Sequence, residues 1–188
     1  MKSLYLLALL PPPDLSSQIN EIRKECSEKF KVYKALKHPV HITLYRPISM
    51  EETFEKKFIQ LMKSVGRTVK PFTQELENFH EFNSQVICIR ALKSAELNDL
   101  RQSIVSVFRK HRIDPKETKG SLAFIPHITI AYRDVLPEVF PLIWEEYKDQ
   151  KFKKKFLAER FSLLKHDLKQ WNVLEEFRLL KAEQPSLF

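Results

Sequence analysis

Pro39-Val40-His41-Ile42-Thr43-Leu44 returns in the second half of the chain as Ile125-Pro126-His127-Ile128-Thr129-Ile130. Successive side chains on a strand point to opposite faces, so each histidine shares a face with its threonine and opposes the aliphatic residues between and after them. The aliphatic face anchors the strand to a core. The polar face is left to look into a cleft, and two such strands at matched places argue for a repeated α/β arrangement.

The segments around the two copies follow the same order. Ser3 to Leu10 is a continuous apolar run, read as a buried strand, and Leu15, Ile19, Ile22 and Cys26 recur at helical spacing after Asp14, read as the N-cap. Val40 to Pro47 carries the first motif. Ser49-Met50-Glu51-Glu52 has the capping-box pattern, Phe54, Phe58, Leu61 and Val65 mark a helix that Gly66 ends, and Phe72 to Phe82 reads as a strand. In the second half Val86 to Ala91 is a strand, and Leu97, Leu100, Ile104 and Phe108 line a helix. Phe124 to Arg133 is a strand, Pro137 opens a helix with Phe140, Ile143 and Tyr147 inward, and strands around Phe156 to His166 and Trp171 to Leu180 close the chain. The expected fold class is α+β. Residues 1–188 are read as one bilobal domain of duplicated β-α-β-α-β units, about 1–83 and 84–188, with two mainly antiparallel sheets around a central cleft and an approximate two-fold relation.

Composition narrows the function. The chain has 188 residues, 43% hydrophobic and 30% charged, enough to bury a core without disulfides or a structural metal. Its two glycines are too few for a Gly-rich loop cradling a pyrophosphate. Cys26 and Cys88 form neither a disulfide framework nor a CxxC knuckle. The net charge of +8 favours anionic partners, nucleic acid or phosphorylated small molecules first. Ser3 to Leu10 is too short to span a bilayer, so the expected location is the cytoplasm, away from membranes.

A phosphodiester suits two facing histidines. Displacement at phosphorus needs a base for the attacking hydroxyl or water and an acid for the departing oxygen, and imidazole serves either role near neutral pH. Each threonine hydroxyl, two residues along, donates to a non-bridging oxygen as charge builds. If the strands run without a bulge, Tyr45 joins the His41 face, where its ring would stack on a base, Arg133 joins the His127 face, and Arg46 is a surface charge. A metal site built from His38 and His41 with His80 or His127 is the competing reading. It lacks an HExxH pattern, carboxylates at ligand spacing and cysteine support, so no metal or cofactor is expected. His80, His111 and His166 have no partners in sequence and are read as surface or structural residues.

The paired His-x-Thr-apolar motifs, one in each half of a small α/β chain, resemble the two-histidine phosphoesterase superfamily, especially its bacterial 2′-5′ RNA ligase-like branch. The resemblance runs from the opening strand through the closing ones. It implies two antiparallel-sheet lobes around a cleft and metal-independent chemistry at 2′,3′-cyclic phosphate or 2′-5′ linkages of RNA ends or small nucleotides. His41 and His127 would be acid and base, with Thr43 and Thr129 on the phosphate. The family often has an arginine soon after its second motif, whereas here Ala131-Tyr132 precede Arg133. End joining by the same site is one alternative, and an RNA- or nucleotide-binding module with little chemistry is another. A monomer with no obligate protein partner is the remaining expectation.

Overall fold

The first strand, β1 (Lys2–Leu9), is buried from Tyr5 to Leu9 on both faces, which is why its sequence shows no alternation. Tyr5, Leu7 and Leu9 join the main core, while Leu6 and Ala8 meet Leu164 on the other side. The structure, a computed structural model, describes residues 1–114 and 124–180. After β1 come α1 (Pro13–Phe30), β2 (Ile42–Glu51), α2 (Glu55–Gly66), β3 (Phe72–Phe82), β4 (Val86–Ala91) and α3 (Ala95–Lys110). Then follow β5 (His127–Ala131), α4 (Phe140–Tyr147), β6 (Lys153–Ala158), β7 (Arg160–His166) and β8 (Trp171–Arg178).

All strand pairings are antiparallel, in the order β6-β3-β4-β5-β2-β1-β7-β8. This is one eight-stranded sheet where two were expected. The two four-stranded groups merge because β2 and β5 pair, through Ile42 and Ile128. Nor does either group come from one half of the sequence: β3 pairs with β4 and β6, while β7 and β8 lie beyond β1. The segment expected as one strand, Phe156 to His166, is where the chain crosses over. Glu159 alone separates β6, at one edge of the sheet, from β7, one place from the other edge, so the sheet must curl to bring them together.

Three local signals are read differently in the structure. Ser49 and Met50 face Leu4 and Ser3 of β1, so Ser49, Met50 and Glu51 of the expected capping box are strand, while Glu52 opens a 3-10 turn and accepts from the Ser3 hydroxyl at 2.7 Å. Helix α1 starts at Pro13 with Pro12 as its N-cap, placing Asp14 in the first turn, where its charge complements the helix dipole. Helix α4 starts at Phe140, three residues after Pro137, with Pro141 in its first turn. The expected inward residues of α3 and α4 are buried, and the Ser94 hydroxyl caps α3 by accepting from the Leu97 amide at 3.0 Å. Gly66 closes α2 where a Cβ would collide with the Arg178 carbonyl of β8.

Candidate active site

The two motifs meet where β2 and β5 join. Counting one residue outward from the Ile42–Ile128 pair sets His41 opposite Thr129 and Thr43 opposite His127, on the face away from the isoleucines. The isoleucines are fully buried, whereas all four polar residues are partly exposed. Both strands bulge directly after the threonine. Thr43 and Tyr45 face consecutive residues of β1, leaving Leu44 extra, and Thr129 and Ala131 face consecutive residues of β4, leaving Ile130 extra. A bulge reverses the alternation beyond it.

His41, Thr43, His127 and Thr129 line one cavity of about 230 Å³, together with Leu6, Arg23, Ala35, His38, Pro47, Val86, Tyr132, Arg133 and Trp171. The ring Nδ1 of His41 is 2.8 Å from the Pro39 carbonyl, and that of His127 is 2.8 Å from the Ile125 carbonyl. A carbonyl only accepts, so each Nδ1 carries the proton and each Nε2 is left for proton exchange. Burial pushes the His41 pKa down to about 4, opposed by the Pro39 carbonyl and reinforced by positive charge on Arg23, His38 and His127. His127 is also lowered, chiefly by burial, with the Ile125 carbonyl opposing and His80 adding to the shift.

Tyr45 lies elsewhere. The Leu44 bulge turns it into the core, where it is 4% exposed, its ring centroid 3.9 Å from that of Phe108 and its hydroxyl 3.1 Å from Asp114. Arg46 also pairs with Asp114. Arg133 lines the cavity, but not by strand alternation: β5 ends at Ala131, and Arg133 takes a left-handed backbone with φ 66°. The next residue, Asp134, accepts from the Tyr33 and Lys34 amides at 2.7 and 2.9 Å, tying this turn to the short 3-10 helix Lys34–Lys37.

The sequence reading passed over Arg23, put Tyr132 on the apolar face of its strand, read Trp171 as part of a polar hairpin that could reach the cleft mouth, and read His38 as a loop residue before Pro39 or a metal-ligand candidate. The His38 ring lies 6.2 Å from that of His41, 5.9 Å from Tyr132 and 6.3 Å from Trp171, so an aromatic wall borders the histidine pair. His166, an outlying residue in sequence, packs 5.0 Å from Trp171. The signal for Arg23 was present: it continues the Leu15, Ile19, Cys26 stripe of α1, where a charge is out of place. Among the described residues no group of three or more His, Cys, Asp or Glu side chains stands close enough to hold a metal ion. No helix among them is long and apolar enough to cross a membrane.

A "putative phosphoesterase" of Bacillus licheniformis is 25% identical over 181 residues, covering 93% of this chain and 98% of that protein. A Bacillus pumilus protein of the same description is 23% identical over 179 residues, covering 93% and 96%. Among solved structures, TT0787 of Thermus thermophilus superposes with a TM-score of 0.72 at 18% identity, over 96% of this chain and 100% of that one. Escherichia coli LigT superposes with a TM-score of 0.63 at 16% identity, over 96% and 99%; it has also been solved in complex with 3′-AMP. The family model of the 2′-5′ RNA ligase superfamily matches residues 11–170, which take in both motifs. The chain therefore belongs to the 2′-5′ RNA ligase superfamily, the two-histidine phosphoesterases.

Proposed function

We propose that this chain is a metal-independent phosphoesterase acting on 2′,3′-cyclic phosphate or 2′-5′ phosphodiester bonds of RNA ends or small nucleotides. The observation that carries this reading is the pairing at the β2–β5 junction, which brings two histidines and two threonines to one cavity. Diagonal neighbours on antiparallel strands lie about 7–8 Å apart, their Cβ atoms somewhat less, a span that suits imidazoles on either side of one phosphorus. The Nδ1 bonds to carbonyls hold both rings with Nε2 available.

In hydrolysis of a cyclic phosphate, the Nε2 of one neutral histidine takes a proton from water as its oxygen bonds to phosphorus. The bond from phosphorus to the 2′ or 3′ oxygen breaks, and the imidazolium of the other histidine protonates that oxygen. Thr43 and Thr129 donate to the non-bridging oxygens as their charge grows, and Arg133 supplies positive charge at the rim. LigT, solved with a nucleoside monophosphate, supports a nucleotide-sized substrate, and the aromatic wall of His38, Tyr132 and Trp171 offers faces for a base. End joining passes through the same transition state in reverse and uses the same residues.

The test is a product assay on 2′,3′-cyclic and 2′-5′-linked oligonucleotides that resolves 2′- from 3′-phosphate ends, run with and without a chelator. Turnover that survives the chelator and disappears in both His41→Ala and His127→Ala is expected. Full activity in either variant, or abolition by the chelator, overturns the reading.

A further inference from the structure

Arg23 is the one charged side chain on the buried stripe of α1, and at 1% exposure it is nearly as enclosed as Ile19 and Cys26 on the same stripe. Its Nε donates to the Thr129 carbonyl at 2.8 Å and its Nη1 to the His38 carbonyl at 3.1 Å. One residue thus holds the second motif strand and the segment leading into the first, across a junction where β2 and β5 share a single register pair. Two carbonyls occupy only two of the five guanidinium N–H groups. Among the described residues no carboxylate lies within ion-pair distance of Arg23. Burial lowers its pKa only to about 10, so it keeps its charge at neutral pH.

An enclosed cation with no counter-charge is costly, and an anion arriving from outside would offset that cost. Arg23 lines the same cavity as both histidines and both threonines. Its orientation is already fixed by the two carbonyls, so an anion entering the cavity meets a positive group that need not reorganise. Arg133 differs on this point, since it is exposed and reaches the cavity from a turn.

We propose that Arg23 is the built-in counter-charge of the cavity: it binds the phosphate group of the substrate from the α1 side while holding Thr129 and the His38 segment in register. The identity of the anion rests on the phosphoesterase reading, but the role of Arg23 as an anion-binding group does not depend on turnover.

The probe is inorganic phosphate, titrated by calorimetry into wild type, Arg23→Met and Arg23→Lys, with a melting curve for each. Removing one partner of a buried, hydrogen-bonded charge pair is expected to weaken phosphate binding about 30-fold or more in Arg23→Met. Arg23→Lys keeps the charge without the planar fork and recovers part of that loss. Loss of the Arg23 charge also lets the His41 ring titrate at a higher pH, a shift that shows the charge acts in the cavity, while the phosphate isotherm decides whether it binds the anion. Should Arg23→Met fail to fold, wild type decides the matter. The Arg23 Nε–H, shielded by its carbonyl bond, is followed by proton–nitrogen NMR and must shift along the phosphate isotherm. A folded Arg23→Met that binds phosphate as wild type does, an Nε–H signal that stays put at saturation, or a wild type that binds no phosphate would each overturn the proposal. A wild type that binds phosphate through Arg23 yet cleaves neither linkage would instead overturn the phosphoesterase reading and leave this one standing.

Discussion

The two motif strands are alike up to the threonine and diverge beyond it. In both, a carbonyl two residues back holds the histidine ring at 2.8 Å, and in both a bulge follows the threonine. Beyond the bulge, β2 runs on to Glu51 along β1, which draws Tyr45 into the core against Phe108. The second strand, β5, is only five residues long and ends at Ala131, so Tyr132 and Arg133 turn toward the cavity. One local pattern therefore serves two ends: the first copy runs on into the core, and the second ends at the cavity. The histidines also differ, since burial, with Arg23 adding to it, holds His41 neutral down to a pKa of about 4, while His127 is lowered by burial with His80 adding to it.

The most direct way to break this comparison is to remove each histidine. Either His41→Ala or His127→Ala is expected to lower kcat by about 10²–10⁴-fold, measured on a 2′,3′-cyclic nucleotide. A large loss at one position and none at the other would show that the copies do not work as a pair. Thr43→Val and Thr129→Val come next, at about 10²-fold each in kcat if both hydroxyls stabilise growing charge.

Past the bulges, the copies should respond differently. Arg133→Ala is expected to raise KM about tenfold through loss of a charged contact to phosphate. Tyr45→Phe should leave kcat and KM close to wild type and instead lower stability by about 0.5–1.5 kcal/mol, read from urea denaturation, as its bond to Asp114 is lost. A Tyr45→Phe enzyme with impaired KM would put that ring back in the site.

A pH series sharpens the comparison further. The folded pKa of His41, about 4, lies below its ordinary 6.5. Stability from this group is complete above pH 6.5 and falls as pH drops from 6.5 toward 4, because the unfolded chain binds a proton that the fold excludes. His127 contributes with the same sign. Urea midpoints between pH 7 and pH 4.5 should fall in wild type and fall less in His41→Gln, with a smaller correction from His127→Gln.

Much of this was legible in the chain. The paired His-x-Thr motifs indicated which polar residues share a face, and the apolar spacings located the helices, because both depend on side-chain periodicity over a few residues. Local periodicity does not register a bulge, which depends on how many residues the neighbouring strand offers, and so Tyr45 was expected in the cleft. It also misread Ser49 to Glu52 as a helix cap, since the Ser49 hydroxyl that suggests a cap is equally at home in a strand paired with β1, which leaves Glu52 just past the strand end.

The sequence by itself determined the chemistry available, two imidazoles and two hydroxyls on anchored strands in a basic chain, because residue type and alternation are properties of the chain alone. Only the tertiary structure decided that β2 and β5 join into one curled sheet, that Tyr45 leaves the site while Arg133 stays, and that Arg23 stands behind Thr129. Those outcomes depend on register between segments far apart in sequence, and on the cost of enclosing a charge, neither of which a single segment encodes.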